Sequence, residues 1–322
     1  MDVSVVVCTY AMDRLEPFVE AVESVLAQTH DALEVVLVVD GDDAVYERVR
    51  ERFGPDSDAA AGFAGDIVVH CNDANRGISY SRTKGAELAS GEVVAFIDDD
   101  AVADPDWIER LVDVYETTDT LAVGGYVAPD WQTAKPEFFP EEFYWLVGCT
   151  ERGFATEGEE VRNTYGSNVS YRRSAFLSVG GYDPNTGRKG DRHVQAHEAP
   201  VGIRLQERYG HGVVYTDDAV VHHKLFAYRG DVRWLLFRSF WQGFSKRVLA
   251  ILYPRSQGNE GAYLRDLFVK YLPERAKKAL LGPSLAQAKQ IAAILAFTAA
   301  VGLGYLYGLT KPRRELLREA PE

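Results

Sequence analysis

Cysteine is scarce. Cys8, Cys71 and Cys149 lie far apart, and no CxxC pair occurs, which excludes a zinc ribbon or a disulfide framework. Lysine is sparse as well, with 10 beside 25 arginines, and basic residues are outnumbered overall: 35 Lys and Arg face 48 Asp and Glu, a net charge of −13. Such a chain lacks the phosphate-neutralising surface on which nucleic-acid binding depends, so no nucleic-acid partner is expected. A G-x-S-x-G elbow, an H-E-x-x-H pair, a Walker loop and a G-x-G-x-x-G turn are also missing. Serine hydrolase, zinc protease, P-loop and dinucleotide-dehydrogenase readings therefore have no support. The start, MDVSVVVCTY, has no basic residue and too short an apolar run for an export signal.

What is present is a core. Apolar residues make up 46% of 322 positions, enough to fold one large domain or two modest ones. Charge is divided unevenly: residues 1–230 carry a net −21 and residues 231–322 a net +8. The acidic, lysine-poor body fits a high-salt cytoplasm, ordinary compositional drift being the plainer alternative, and the basic tail fits an anionic partner. Within that tail Ile291–Thr310 runs 20 residues without a charge, bracketed by Lys289 and by Lys311, Arg313 and Arg314. A helix of that length rises about 30 Å, the thickness of a bilayer core, which predicts a transmembrane helix; the alternative is a helix buried in protein or lying on a surface. Residues 263–281 pattern as a basic amphipathic helix, suited either to anionic lipid or to packing on the body. The chain thus divides into a body over 1–230, basic helices over 231–284 and a hydrophobic helix with a short basic tail over 285–322.

The first 125 residues alternate apolar runs with helical patterns. Strands are predicted at Val3–Cys8, Glu34–Val39, Asp66–His70, Glu92–Ile97 and Leu121–Val127, with helices over Leu15–Ala27, Ala44–Phe53, Ile78–Ala89 and Asp106–Glu116. Continuous apolar strands separated by helices imply an α/β fold with a parallel sheet covered on both faces, its ligands beyond the carboxyl ends of the strands. Residues 128–165 read as irregular. A strand at Asn168–Tyr171, a helix at Val194–Tyr209, short strands within Gly212–His222 and helices over 232–252, 262–281 and 285–309 complete the pattern.

Polar clusters follow the strands. Asp98-Asp99-Asp100 ends the fourth apolar run. Like charges so close repel, and a bound divalent cation shared with a diphosphate relieves that repulsion; a strand-end turn, with Asp104 capping the helix at Pro105, is the plain alternative. Asp40-Gly41-Asp42 suits a base or ribose, or merely a turn. Asn75, Gly77 and Arg82 mark a helix start, where anions are favoured. Glu198 near a helix start could serve as a general base or simply favour the helix dipole. One ring of His222-His223 could join a metal site. The sequon Asn168-Val169-Ser170 is expected to be idle.

Taken in order, VVVCTY, VVDGDD, NRGISYSRTKG, FIDDDA, YGSNVSYRR, VGGYD, HEAPVGIRL and VVHH resemble a family 2 glycosyltransferase of the GT-A (Rossmann-like) fold. The stretches WQTAKPEFFPEEFYWLVG, GRKGDRHVQAHEAPVG and FRSFWQGFSKR are similar to a narrower group within it, the haloarchaeal glucosyl-dolichyl-phosphate glucuronosyltransferases of the N-glycosylation pathway. The resemblance implies an inverting, metal-dependent transfer of glucuronate from a UDP-sugar to glucosyl-dolichyl phosphate, with Mg2+ or Mn2+ as cofactor. It implies a cell-membrane enzyme whose catalytic domain faces the cytoplasm. Another nucleotide sugar, used on a polysaccharide or on bare polyprenyl phosphate, is the alternative within the same fold.

Residue by residue, the resemblance assigns Thr9, Tyr10, Asp40 and Asp42 to the uridine, and Asn75, Gly77 and Arg82 to the nucleotide-sugar cleft. Asp98 and Asp100 become the metal ligands, with Asp99 beside the donor and His222 as the ligating histidine, although His223 adjoins it. Glu198 takes the place of the catalytic base, with Asp191 in reserve, because His197-Glu198-Ala199 departs from the family's Glu-Asp pattern. Arg82, Arg188 and Arg192 are candidates for the carboxylate of a uronic acid donor.

Overall fold

The computed structural model describes residues 1–183, 198–254 and 260–313. They form two compact units. The first comprises the described parts of Met1–Ala128, Ala155–Arg192 and His197–Lys224; the second comprises those of Pro129–Phe154 and Leu225–Glu322.

In chain order the strands are β1 Val3–Thr9, β2 Leu33–Val39, β3 Ile67–Cys71, β4 Val93–Asp98, β5 Ala101–Ala103, β6 Ala122–Trp131, β7 Glu160–Val161, β8 Val169–Arg172 and β9 Val213–Leu225. The helices are α1 Leu15–Leu26, α2 Asp43–Phe53, α3 Asp58–Gly62, α4 Ile78–Leu88, α5 Trp107–Thr117, α6 Arg173–Ser178, α7 Glu198–Tyr209, α8 Val232–Leu252, α9 Glu260–Asp266, α10 Leu272–Leu281 and α11 Leu285–Thr310.

These strands build one sheet in the order β3-β2-β1-β4-β8-β6-β9-β5, with β7 on β9. Among the described residues, β3, β2, β1 and β4 pair in parallel. The parallel sheet expected over the first 125 residues is found in these four strands, while the fifth strand expected there, β6, is separated from them by β8, which pairs antiparallel with both β4 and β6. The run Gly212–His222, expected as short strands, is one strand of 13 residues.

Both faces of the parallel half are covered. Alternation sends Val3, Val5 and Val7 into a core with Phe18 and Val22 of α1, Val45 and Val49 of α2, and Trp107 and Leu111 of α5. Val6 points the other way, where Gly85 of α4 comes so close that a Cβ there would stand 2.4 Å from the valine Cγ1. Asn168 joins the antiparallel half. It is fully buried; its carbonyl accepts from Trp107 Nε1 (2.8 Å) and its amide donates to the carbonyls of Tyr126 (2.9 Å) and Ala219 (2.8 Å). An amide so committed is not available as a glycan acceptor.

The second unit is helical. Phe139, Phe143, Tyr263 and Phe297 form an aromatic core of edge-on and tilted pairs. Glu142 is buried beside it, held by Arg275 Nη2 (2.6 Å) and Arg152 Nη1 (3.2 Å), while the Tyr263 hydroxyl donates to its carbonyl (2.7 Å). The amphipathic run 263–281 is three segments, with a π-turn at Leu267–Tyr271 between α9 and α10, and Arg275 faces Glu142 rather than solvent.

Candidate active site

The carboxyl ends of β1, β2, β3 and β4 meet at one edge of the first unit. After β2, Gly41 adopts a φ of +73°, and a Cβ there would lie 2.1 Å from the Ala74 backbone, so only glycine lets the two loops touch. Asp40 uses the contact. One of its carboxylate oxygens accepts from Asn72 Nδ2 (2.8 Å) and the Arg76 amide (2.9 Å), the other from the Gly77 amide (2.7 Å). It thereby shapes the Asn72–Gly77 turn that starts α4. Asp42 caps α2 by accepting from the Val45 amide (3.0 Å). Thr9 is buried, and its hydroxyl has no hydrogen-bond partner among the described residues; Tyr10 beside it is exposed. Asn75 is exposed, and Gly77 turns the chain with a φ of +87°.

Three carboxylates stand at the end of β4, from its last residue, Asp98, to Asp100. Asp98 pairs with Arg82, whose guanidinium is 2% exposed and also donates to the Gly166 carbonyl (2.9 Å). Burial by itself would lower the pKa of Arg82; the charges around it, Asp98 foremost, more than offset that and raise it above the ordinary value. Asp99 is buried and accepts from Arg14 Nη2 (2.5 Å) and Nε (3.2 Å); the same Nη2 lies 3.1 Å from Asp100. Burial, together with the charges of Asp100 and Asp98, pushes the Asp99 carboxyl up to about 6 against the pull of Arg14.

The short strand β5 then pairs with β9, opposing Ala101 to His223 and Val102 to His222. This register brings His223 Nε2 to 3.2 Å from Asp100 Oδ1. One ligand atom each from Asp98, Asp100 and His223 lies within 4.8 Å of the others. Neighbouring residues on a strand face opposite ways. His222 accordingly stands apart, half-exposed, with Nε2 2.9 Å from Asp104 Oδ1. The histidine brought to the carboxylates is His223 and not His222, the residue chosen from sequence. Asp104 is engaged there too; the residue preceding α5 is Asp106, and no side chain caps that helix.

Glu198 opens α7. A Cβ on Gly166 would lie 2.9 Å from Glu198 Oε1 and 2.4 Å from Arg82 Nη1, so the carboxylate of Glu198 and the Arg82–Asp98 pair flank one glycine. Asp191, Arg188 and Arg192 lie outside the described residues. Arg82 is not a free carboxylate receptor: its buried guanidinium serves Asp98. Asp99 is likewise turned into the protein toward Arg14.

Sequence reasoning missed Arg14 and Gly166. Arg14 is the lone cation in the loop after β1, and a loop at a carboxyl edge faces the site. His223 was legible from the period-two burial of Ala219, Val221 and His223, although apolar Val220 obscures it.

The donor set, two carboxylates and an imidazole, suits a hard divalent ion. Each carboxylate of the cluster is steadied by a guanidinium, a pattern fitted to binding charge at a fixed geometry.

Residues 4–180 match glycosyl transferase family 2. The glucosyl-dolichyl phosphate glucuronosyltransferase of Haloferax volcanii is 63% identical to the chain over 313 residues, 97% of each protein. Among solved structures, the mannosyltransferase PcManGT from Pyrobaculum calidifontis in complex with GDP-Man and Mn2+ has a TM-score of 0.52 at 18% identity, covering 99% of this chain and 85% of its own. GalNAc-T7 with UDP, GalNAc and Mn2+ has a TM-score of 0.53 at 15% identity, covering 83% of this chain and 54% of its own. At these identities the two structures speak to the fold, which they share.

Proposed function

The chain belongs to glycosyl transferase family 2, and on that footing we propose that it is an inverting, metal-dependent enzyme of the GT-A fold that transfers glucuronate from a UDP-sugar to glucosyl-dolichyl phosphate. The transfer takes place at the cytoplasmic side of the cell membrane, during assembly of the glycan for protein N-glycosylation, the S-layer glycoprotein being its target. The observation that carries the chemistry is the convergence of Asp98, Asp100 and His223 within 4.8 Å. Donor and acceptor rest on the name of the Haloferax volcanii relative.

Asp98, Asp100 and His223 are the residues that would hold Mg2+ or Mn2+. When bound, such an ion supplies Lewis-acid stabilisation of the charge that gathers on a departing diphosphate. The chain's own charges favour joint binding of ion and nucleotide. Asp98, Asp99, Asp100 and Glu198 outnumber the two guanidiniums of Arg14 and Arg82, so a dication would offset the excess negative charge and make room for an anionic diphosphate.

Glu198 acts as the general base. It takes the proton of the acceptor hydroxyl while that oxygen bonds to the anomeric carbon. The bond from this carbon to the diphosphate oxygen breaks in the same displacement, and the electron pair leaves with UDP. Configuration inverts, and no covalent sugar–enzyme intermediate forms, unlike the nucleophilic route of retaining glycosidases. Thr9, Tyr10 and Asp42 would border the uridine, and Asp40, which holds the turn that ends at Gly77, would support that border.

The test is a transfer assay with labelled UDP-glucuronate and UDP-glucose against glucosylated and bare dolichyl phosphate. Transfer of glucuronate to the glucosylated lipid is expected, and its loss with chelator. Transfer of glucose alone, or to bare lipid alone, would overturn the assignment of donor or acceptor.

A further inference from the structure

The length and composition of α11 permit a bilayer span, but its packing within the helical unit argues for another arrangement. Gly243 of α8 lies against the Val301 carbonyl, and a Cβ there would be 1.9 Å from that oxygen; a Cβ on Gly304 would be 1.8 Å from the Phe240 carbonyl, and one on Gly308 2.8 Å from Arg247 Cγ. Phe240 and Phe244 both stack near Tyr307, at 5.5 and 6.0 Å. The early part of each helix lies on the same segment, Arg238 of α8 on the Leu146 carbonyl and Phe297 of α11 on Phe143, and their later parts meet at Arg247 and Gly308, so α8 and α11 run parallel with their backbones almost touching.

Parallel direction has a topological consequence. If α11 crossed a bilayer, α8 at its side would cross in the same direction, carrying Arg238, Lys246 and Arg247. The link between them, residues 253–284, would then have to cross back with nine charged residues. Charged side chains at the centre of a bilayer are strongly disfavoured. The first half of α11 is moreover committed to protein: Ala293, Ile294 and Phe297 are buried, and Phe297 packs on Phe139 and Phe143.

The opposite side of α11 tells what covers it. Ala292, Leu295, Ala299, Leu303, Leu306 and Leu309 are exposed, a charge-free face about 27 Å long. Leu280, Leu281 and Leu285 extend it, all more than two-thirds exposed. Exposed Lys277 and Lys278 stand before the helix, and Arg313 follows it. Apolar length between cations matches acyl chains bordered by anionic headgroups.

We infer that α11 does not span the membrane but lies along one leaflet, α8 and the aromatic core on one side and lipid on the other, which anchors the protein monotopically. This deepens the membrane association proposed above, and its test reads topology and lipid binding rather than sugar transfer, so it stands or fails independently of the donor and acceptor.

Full-length Gly282→Cys and Pro312→Cys proteins, both altered at exposed positions flanking α11, are probed with a membrane-impermeant maleimide in intact cells and after lysis, with the parent chain as background. Equal protection of the two cysteines in intact cells and equal labelling after lysis are expected. Labelling of one and not the other in intact cells would overturn the inference. In parallel, the Leu303→Glu/Leu306→Glu chain should keep its helical circular dichroism and lose at least about tenfold in affinity for anionic phosphatidylglycerol vesicles. Undiminished vesicle binding, or a chain that self-associates and ignores vesicles, would overturn the lipid as occupant of this face.

Discussion

Arg82 holds Asp98 from beneath. The guanidinium is 2% exposed, pairs with the carboxylate and spends a further hydrogen bond on the Gly166 carbonyl, so the acidic residue that ends β4 is fixed by a buried cation of α4, the helix before it. Partners that orient ligands in this way are worth about 10–100-fold in metal affinity or activity. Arg82→Lys is expected to lose that factor in turnover and in Mn2+ affinity, because an ammonium cannot serve both acceptors with the fork geometry. Calorimetric Mn2+ titration in the presence of UDP measures it, and unchanged affinity would contradict the role.

His222 and His223 provide an internal control. His223→Ala should weaken divalent-ion dependence and lower turnover by about 100-fold, since it removes a donor beside Asp100. His222→Ala, which removes only a half-exposed contact to Asp104, should stay within about threefold of the parent. Metal-titrated initial rates of the two variants decide between them; a larger loss from His222→Ala would restore the assignment made from sequence.

Gly166 has no room for a methyl group, with Arg82 Nη1 and Glu198 Oε1 at 2.4 and 2.9 Å from its would-be Cβ. Gly166→Ala is expected to displace both side chains, and misplacement of about 1 Å costs on the order of 100-fold in rate. The loss should fall on kcat more than on KM for the donor, with the melting temperature shifted little by comparison. Full kcat in this variant would detach Glu198 from the chemistry.

Glu142 links stability to pH. Burial by itself would raise its carboxyl pKa; the charged hydrogen bonds from Arg275 and Arg152 more than offset that and hold it below its ordinary 4.5. A depressed folded-state value means that the stabilisation is complete above 4.5 and is lost as pH falls through the lower folded value. Glu142→Gln should therefore cost about 3 kcal/mol near neutrality and show a shallower loss of stability in acid than the parent. Denaturant unfolding at pH 7 and pH 3 reads both; parallel acid slopes would exclude the linkage.

The sequence by itself determined the local elements and the kind of chemistry. Val3–Thr9, Leu33–Val39 and Val93–Asp98 are β-branched runs with few other options, and α1, α2 and α5 carry a single apolar face each, so nearest-neighbour periodicity suffices to find them. Three adjacent aspartates announce bound charge because their repulsion must be relieved locally. What only the tertiary structure decided depends on partners distant in the chain. The insertion of β8 between β4 and β6 and the choice of His223 over His222 follow from strand pairing and register, where a shift of one residue turns a side chain to the opposite face, and the use of Arg14 and Arg82 as counter-charges follows from the packing of a turn and a helix against the end of β4. The long apolar stretch at the end of the chain is the same case: composition gives its length and helicity, while the glycines that seat it parallel to α8 determine which of its sides remains for lipid, because close backbone approach is a property of two helices and not of one.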